Sequence, residues 1–284
     1  MSCILSAIVI CWEKSILSAK KKVTIQVSCV EKGGLLLVCT KGILIKELRR
    51  KKVKLVHLDG AQIPYLNIQE YNDVYVSNYS DLLINSLPSS LDGKIVCDYG
   101  SGTGVITLCS CAKGANKVIA IEIDKRYREL TEKNIADNVN PRIVELYASA
   151  KEFMDASACF FDYIFCNPAS LPSIVGDDSF YNGGEFGLDM ILEVVNFTNG
   201  RLTKNGHLII LITSIIPTSI FHDELQKLNL KCSVLNFADF RFREHYKNIK
   251  SWVDDNQSDY PEMLYIENSG FLFEKVIVYD VQRM

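Results

Sequence analysis

The 284-residue chain has ten cysteines but no C-x-x-C pair. Such pairs mark zinc and redox sites, and disulfide-stapled domains are usually short and loop-rich. The cysteines therefore read as small core hydrophobes, and Cys39, Cys97 and Cys166 sit inside apolar runs. That usage points to a reducing, cytoplasmic compartment. No apolar run reaches the ~18–20 residues that span a bilayer, so no membrane association is expected. The segment 4–12 is apolar but short. No basic residue precedes it and no A-x-A site follows, so no signal peptide is expected. The four histidines, His57, His207, His222 and His245, have no metal-ligand spacing, and no metal is expected. Internal repeats and low-complexity tracts are missing too. What remains is 48% hydrophobic, 10% aromatic and 23% charged, which excludes collagen, coiled coil and wholesale disorder.

Net charge is −3 but uneven. Residues 1–60 carry 12 Lys and Arg against 4 Asp and Glu, a net +8, and the remainder carries −11. The asymmetry suggests two modules: a small β-rich one over 1–72 and a larger one over 73–284. In the first, Val23, Ile25, Val27 and Cys29 alternate with polar residues as in a half-buried strand, and Gly33-Gly34 marks a turn. Leu35–Cys39 and Ile43–Leu48 flank Lys41-Gly42 as a hairpin, Val53–Leu58 reads as a further strand, and residues 3–18 fit helix or strand equally.

Beyond Pro64 the pattern changes. Leu82, Leu83 and Leu87 predict a short helix ending before Pro88. Strands and helices then alternate: strand 95–98, helix 104–112, strand 117–122, helix 125–138, strands 143–147 and 163–166, helix 188–202, strand 207–213, helix 221–228, strand 231–236 and strand 271–280. Such β-α-β alternation predicts an α/β fold with a doubly wound, mostly parallel, Rossmann-like sheet. The stretch 241–269 interrupts it with a basic, aromatic cluster, Arg241 to Lys247, followed by Trp252. A helical insertion is expected there, either a lid or part of a substrate wall, or equally a surface excursion with a buried aromatic stripe.

The strongest chemical signal is Asp98-Tyr99-Gly100-Ser101-Gly102-Thr103-Gly104, a buried strand running through a glycine turn into a helix. Glycines let backbone approach a ligand, and the helix N-terminus offers free N–H donors. The next strand ends at Glu122, 18 residues after Gly104, where a carboxylate can accept both hydroxyls of a ribose. A dinucleotide usually wants G-x-G-x-x-G. An acid ending the first strand, as Asp98 does, suits instead the ammonium and sulfonium region of S-adenosylmethionine.

These residues resemble motif I of the class I S-adenosylmethionine-dependent methyltransferases, and Ala120-Ile121-Glu122-Ile123-Asp124 resembles their acidic ribose motif. The resemblance spans roughly 74–237 plus the last strand. It implies a seven-stranded sheet with the final strand antiparallel. It also implies cofactor contacts from Asp98, Tyr99, Gly100, Ser101, Gly102, Gly104, Glu122 and Ile123, with Tyr99 shaping the pocket.

A second motif, Asn167-Pro168-Ala169-Ser170-Leu171-Pro172, ends another apolar strand at the ligand-binding edge of such sheets. It is similar to the N-P-P-Y motif of the HemK-like protein glutamine N-methyltransferases and their methyltransferase small domain relatives. Gly183-Gly184-Glu185-Phe186-Gly187-Leu188-Asp189 matches their downstream G-G-x-x-G-L-D, and Lys204-Asn205-Gly206 resembles the K-P-G-G turn of the fold. The resemblance implies that the Asn167 side-chain carbonyl and the Pro168 backbone carbonyl accept hydrogen bonds from the target nitrogen. Asn167 would also border the cofactor. Catalysis is then mainly proximity and orientation.

The chain departs from the family pattern at the acceptor. Ala169 replaces the second proline and Ser170 the aromatic. Phe180 and Tyr181 are the nearest aromatic substitutes, and His245 is a further acceptor-side candidate. Tyr147-Ala148-Ser149-Ala150 lacks an Asp to read adenine, which leaves Ser149 or a backbone group. Val74 to Asp81 only loosely resembles the family's V-P-R-P-x-T-E, with Ser80-Asp81 in place of Thr-Glu. The expected function is N-methylation of a small-molecule or natural-product acceptor. The basic N-terminus keeps rRNA, tRNA or a protein side chain as an alternative. Aminocarboxypropyl transfer or cyclisation, and cofactor binding without turnover, are two further readings.

Overall fold

The computed structural model describes residues 25–30, 34–39, 52–71, 74–173, 182–242 and 248–284. The chain divides into two compact units, Met1–Lys52 and Val53–Met284. In the first, β1 (Ile25–Val30) and β2 (Gly34–Cys39) pair antiparallel, in register from Ile25↔Cys39 to Val30↔Gly34. The expected segment over residues 3–18 and the expected strand Ile43–Leu48 lie outside the described residues.

The division falls after Lys52 rather than after residue 72, the boundary the sequence suggested. The reason is packing. β3 (Lys52–His57) and β4 (Tyr65–Glu70) pair, and Val56, Leu58, Leu66 and Ile68 are buried in one core cluster with Val96 and Leu108 of the larger unit. β4 had no expected strand, although its alternate residues Leu66 and Ile68 are buried as in a half-buried strand. Its polar backbone is satisfied from a helix. Asn134 accepts from Gln69 N–H (2.8 Å) and donates to Gln69 O (3.0 Å), and Asn138 does the same for Asn67.

The larger unit is built on a sheet ordered β10-β12-β9-β8-β5-β6-β7. Its members are β5 (Ile95–Tyr99), β6 (Lys117–Ile121), β7 (Val144–Tyr147), β8 (Phe161–Cys166), β9 (Leu202–Thr213), β10 (Leu230–Arg241) and β12 (Phe271–Arg283). β5 lies between β6 and β8, all parallel, and β9 continues the parallel run. β12 enters antiparallel between β9 and β10, as the resemblance implied. β11 (Ile266–Asn268), an eighth strand, pairs with the start of β12.

Helices α1 (Asn78–Ile84), α2 (Val105–Ala112), α3 (Lys125–Asn138), α4 (Ala150–Ala156), α5 (Asp189–Arg201), α6 (Thr218–Lys227) and α7 (Ile249–Asn256) complete the unit. Two large apolar clusters include opposite side-chain faces of the sheet. Cys97, Ile164 and Ile210 point into one, and Val96, Phe165 and Ile209 into the other, as strand alternation requires. Burial pushes the Cys97, Cys109 and Cys166 thiols well above their ordinary range, which fits packing rather than nucleophilic roles. The expected insertion contains α7 and β11, and Trp252 and Val253 are buried with the main core. Among the described residues no helix is long and apolar enough to cross a membrane.

Candidate functional site

The carboxyl ends of β5, β6 and β8 open into one cleft of about 470 Å³, within the ordinary range for a small-molecule site. β5 delivers Asp98 and Tyr99 there, and the chain then turns into α2. Gly100 and Ser101 N–H both donate to Ile121 O (2.9 and 3.0 Å), which ties the glycine turn to the end of β6. From below, Thr131 Oγ1 donates to Gly102 O (3.0 Å) and Asn134 Nδ2 to Thr103 O (2.8 Å).

Asp98 is 3% exposed. One of its oxygens accepts from Thr107 N–H (2.9 Å) and Thr107 Oγ1 (2.6 Å), in the first turn of α2. Burial nevertheless pushes the Asp98 carboxyl up to about 6, against those two bonds, and the nearby Glu122 adds to the rise. Glu122 is 4% exposed, accepting from Gly102 N–H (2.9 Å) on one oxygen and Asp124 N–H (2.9 Å) on the other. Burial raises its carboxyl as well. Tyr99 donates its hydroxyl to Glu193 of α5 (2.7 Å), and burial first, then Glu193, keep the phenol protonated.

Asp98, Tyr99, Gly100, Ser101 and Gly102 line the cleft, and so do Glu122, Ile123 and Ser149. Gly104 does not, contrary to expectation. It is the N-cap of α2, at φ +77°, and a Cβ there would lie 2.9 Å from Thr131 Cγ2. Its glycine is needed to pack α2 on α3, not to admit a ligand. Ser149 caps α4 by accepting from Glu152 N–H (3.1 Å).

The acceptor motif occupies another wall. Asn167, Pro168, Ala169 and Ser170 follow β8 and line the same cleft. Asn167 Nδ2 donates to Ser80 Oγ of α1 (3.4 Å). The glycine-rich stretch after it is built against this motif. Gly183 N–H donates to Leu171 O (2.8 Å), and Asp189 N–H to Gly183 O (2.9 Å). Gly187 adopts φ +76°, and a Cβ there would sit 2.4 Å from Ser170 O. The two motifs therefore occur together because one forms the backing of the other. Tyr181, Phe180 and His245 lie outside the described residues.

Sequence reasoning missed Thr107, Met190, Glu193, Thr213 and Glu274. Met190 and Glu193 line the cleft from α5, whose apolar period alone was read. Glu274, 2% exposed, had a signal that went unused: a lone acid at an inward position of an apolar strand. It accepts from the hydroxyls of Tyr79 and Thr213.

The cleft fits S-adenosylmethionine by the chemistry of its donor set. Glu122 is a buried carboxylate suited to paired hydroxyls. Asp98 is an acid suited to a cationic group. Ile123, 81% exposed, offers an apolar platform beside them.

The family model of the methyltransferase small domain matches residues 72–238. Over 180 residues the chain is 24% identical to a putative protein N5-glutamine methyltransferase of Methanocaldococcus jannaschii, covering 61% of this chain and 89% of that protein. Over 166 residues it is 27% identical to the tRNA1(Val) (adenine(37)-N6)-methyltransferase of Shewanella woodyi, covering 54% and 65% respectively. Among solved structures, a precorrin-6y C5,15-methyltransferase from Geobacter metallireducens aligns with a TM-score of 0.48 and 13% identity, covering 76% of this chain and 93% of that one. The chain belongs to the methyltransferase small domain family and is an S-adenosylmethionine-dependent methyltransferase.

Proposed function

We propose that the protein methylates a nitrogen of a small-molecule acceptor, with Asn167 and Pro168 holding that nitrogen. The observation that carries this reading is that Asn167 and Pro168, at the end of β8, line the same cleft as Asp98 and Glu122. With Asn167 Nδ2 turned toward Ser80 Oγ, the amide oxygen would be left to accept from the acceptor. Together with the Pro168 carbonyl it would take two N–H donors and orient the nitrogen lone pair away from both carbonyls. Orientation of this kind supplies rate without an acid or base.

S-Adenosylmethionine, when bound, supplies an electrophilic methyl group on a sulfonium. Glu122 would hold its ribose hydroxyls, with Gly102 N–H and Asp124 N–H keeping the carboxylate in place. Asp98 would favour its cationic region, and Tyr99, Gly100 and Ser101 would shape the wall. Ile123 and Ser149 would border the adenine.

A small acceptor is supported by what surrounds the motif. Ala169 and Ser170 themselves supply no ring to meet a planar side-chain amide. Among the described residues the acceptor end carries Glu274, Tyr79, Thr213 and Ser80 rather than the cationic side chains that phosphates attract. A protein glutamine acceptor is the second reading. The glycine stretch packed on Ala169 and Ser170, and the likeness to the M. jannaschii protein, favour it.

The test uses methyl-labelled cofactor and a cell extract split into small-molecule, RNA and protein fractions. Label in the small-molecule fraction with S-adenosylhomocysteine formed is the expected result, and label in protein or RNA overturns it. Methylthioadenosine as product would mean aminocarboxypropyl chemistry instead, and bound but unconsumed cofactor would mean a protein without turnover.

A further inference from the structure

Met190 of α5 touches two walls of the cleft at once, and the mechanism above does not use it. Its sulfur accepts from the Ala169 N–H (3.4 Å), inside the acceptor motif. Its methyl group lies against the glycine turn: a Cβ placed on Gly100 would sit 2.4 Å from Met190 Cε. Gly100 follows β5 and Ala169 follows β8, and all three residues line the cleft. The start of α5 is itself tied to the acceptor motif. Asp189 N–H donates to Gly183 O (2.9 Å), and Gly183 N–H to Leu171 O (2.8 Å).

The bond to Ala169 acts on its neighbour. The Ala169 N–H and the Pro168 carbonyl are the two polar groups of one peptide unit. That unit is trans, since no peptide bond is cis among the described residues. In a planar trans peptide the N–H and C=O point in opposite directions. Holding the N–H on Met190 Sδ therefore turns the Pro168 oxygen away from Met190 and restrains the whole plane. The residue type fits that task. Position 190 is partly buried against the main core, which calls for an apolar side chain. Leucine would fill it, whereas methionine also brings a thioether that can accept a hydrogen bond.

We infer that Met190 is a positioning residue. Its sulfur sets the Pro168–Ala169 peptide so that the Pro168 carbonyl meets the reacting nitrogen, while its methyl rests on the cofactor turn. This depends on the reading that Asn167 and Pro168 hold that nitrogen, and it adds the group that aims the second of them.

The test reads the peptide directly. Pro168-Ala169 is the only Pro-Ala step in the sequence. Isotope in the proline carbonyl and the alanine nitrogen therefore gives the full chain a single magnetic-resonance signal for that amide. Met190→Leu removes the sulfur and keeps the bulk. Exchange of the Ala169 amide proton should then quicken by about tenfold or more. Transfer of labelled methyl into cell extract should fall by about tenfold at saturating cofactor, while affinity for S-adenosylhomocysteine stays within about twofold. Met190→Gln returns an acceptor oxygen and should recover both the slow amide and the transfer. Unchanged exchange or unchanged transfer in Met190→Leu overturns the inference, as does no transfer by the native protein. So does a loss of transfer matched by an equal loss of S-adenosylhomocysteine affinity, which packing alone would give. If Met190→Leu does not fold, Met190→Gln carries the test, and loss of either the slow amide or the transfer overturns the inference. Failure of the parent reading looks different: Asn167→Ala would then turn over normally, whatever the Ala169 amide does.

Discussion

At Asp98, stability and ligand binding pull in opposite directions. Burial lifts its carboxyl to about 6 in the folded protein, from 3.8 when exposed. Between those values the folded state holds a proton that the unfolded state has lost. Stability of the cofactor-free protein therefore falls as pH rises through that window, and the ionised group costs about 3 kcal/mol at neutral pH. Asp98→Asn keeps an oxygen for the two Thr107 donors and removes the charge. It should raise the melting temperature at pH 7 and flatten the pH dependence between about 4 and 6, read from thermal melts across pH. The same charge should favour a cationic ligand. Cofactor affinity should accordingly rise with pH through about 6, with proton release, and Asp98→Asn should lose that dependence. Calorimetry in two buffers of different ionisation enthalpy measures both, and pH-independent affinity in the native protein would remove Asp98 from the cofactor site. Asn167 should behave in the opposite way. Its Nδ2 touches Ser80 and not the glycine turn. Asn167→Ala should leave cofactor affinity unchanged and lower kcat by about a hundredfold or more, an effect of lost orientation.

Elements are held in register here by a few side chains, and Asn134 of α3 is the clearest case. It is fully buried, bonding Gln69 of β4 on two atoms and Thr103 O of the glycine turn. Asn134→Ala strands three backbone groups and should cost about 2–4 kcal/mol, read by denaturant titration, while also weakening the cofactor. If cofactor affinity is unchanged, the turn does not depend on α3. Gly187→Ala tests the other motif: positive φ and the Ser170 carbonyl at 2.4 Å should cost about 1–3 kcal/mol and lower turnover before cofactor binding. These contacts also explain what was legible beforehand. α3 and the parallel strands were read within a few residues because their apolar periods and caps are local. The glycine turn and Glu122 were legible because ligand-binding backbone demands particular residue types at fixed spacing. β4 was not, because it has only two buried apolar residues, Leu66 and Ile68, and the Asn134 and Asn138 side chains that bond its backbone lie 65–71 positions away. α4 was missed because only Ala150 and Phe153 of its seven residues are buried. Gly104 was assigned to the ligand because sequence spacing does not reveal which way a Cβ would point. The Tyr79–Glu274–Thr213 cluster joins residues up to 195 positions apart, beyond any local pattern.

Across the whole molecule, charge argues about the acceptor. Residues 61–284, which hold every named site residue, carry a net −11, while residues 1–60 carry +8. An enzyme for RNA must meet phosphates near its active centre, and the counterions it releases make binding steeply salt-dependent. Here the cleft presents Asp98, Glu122, Glu193 and Glu274. Such a field repels a polyanion and raises the local concentration of small cations. If the basic N-terminal stretch nevertheless recruited RNA, several phosphate contacts would weaken binding by about 10³-fold or more between 50 and 200 mM salt. A small acceptor makes at most one or two charged contacts, and its kcat/KM should fall only several-fold over that range, by screening. Transfer of labelled methyl from the full chain into extract, followed across that salt series, separates the two. A shallow decline with the label in the small-molecule fraction is the expected outcome. A steep decline with label in RNA would mean that the positive stretch, and not the acidic cleft, selects the substrate.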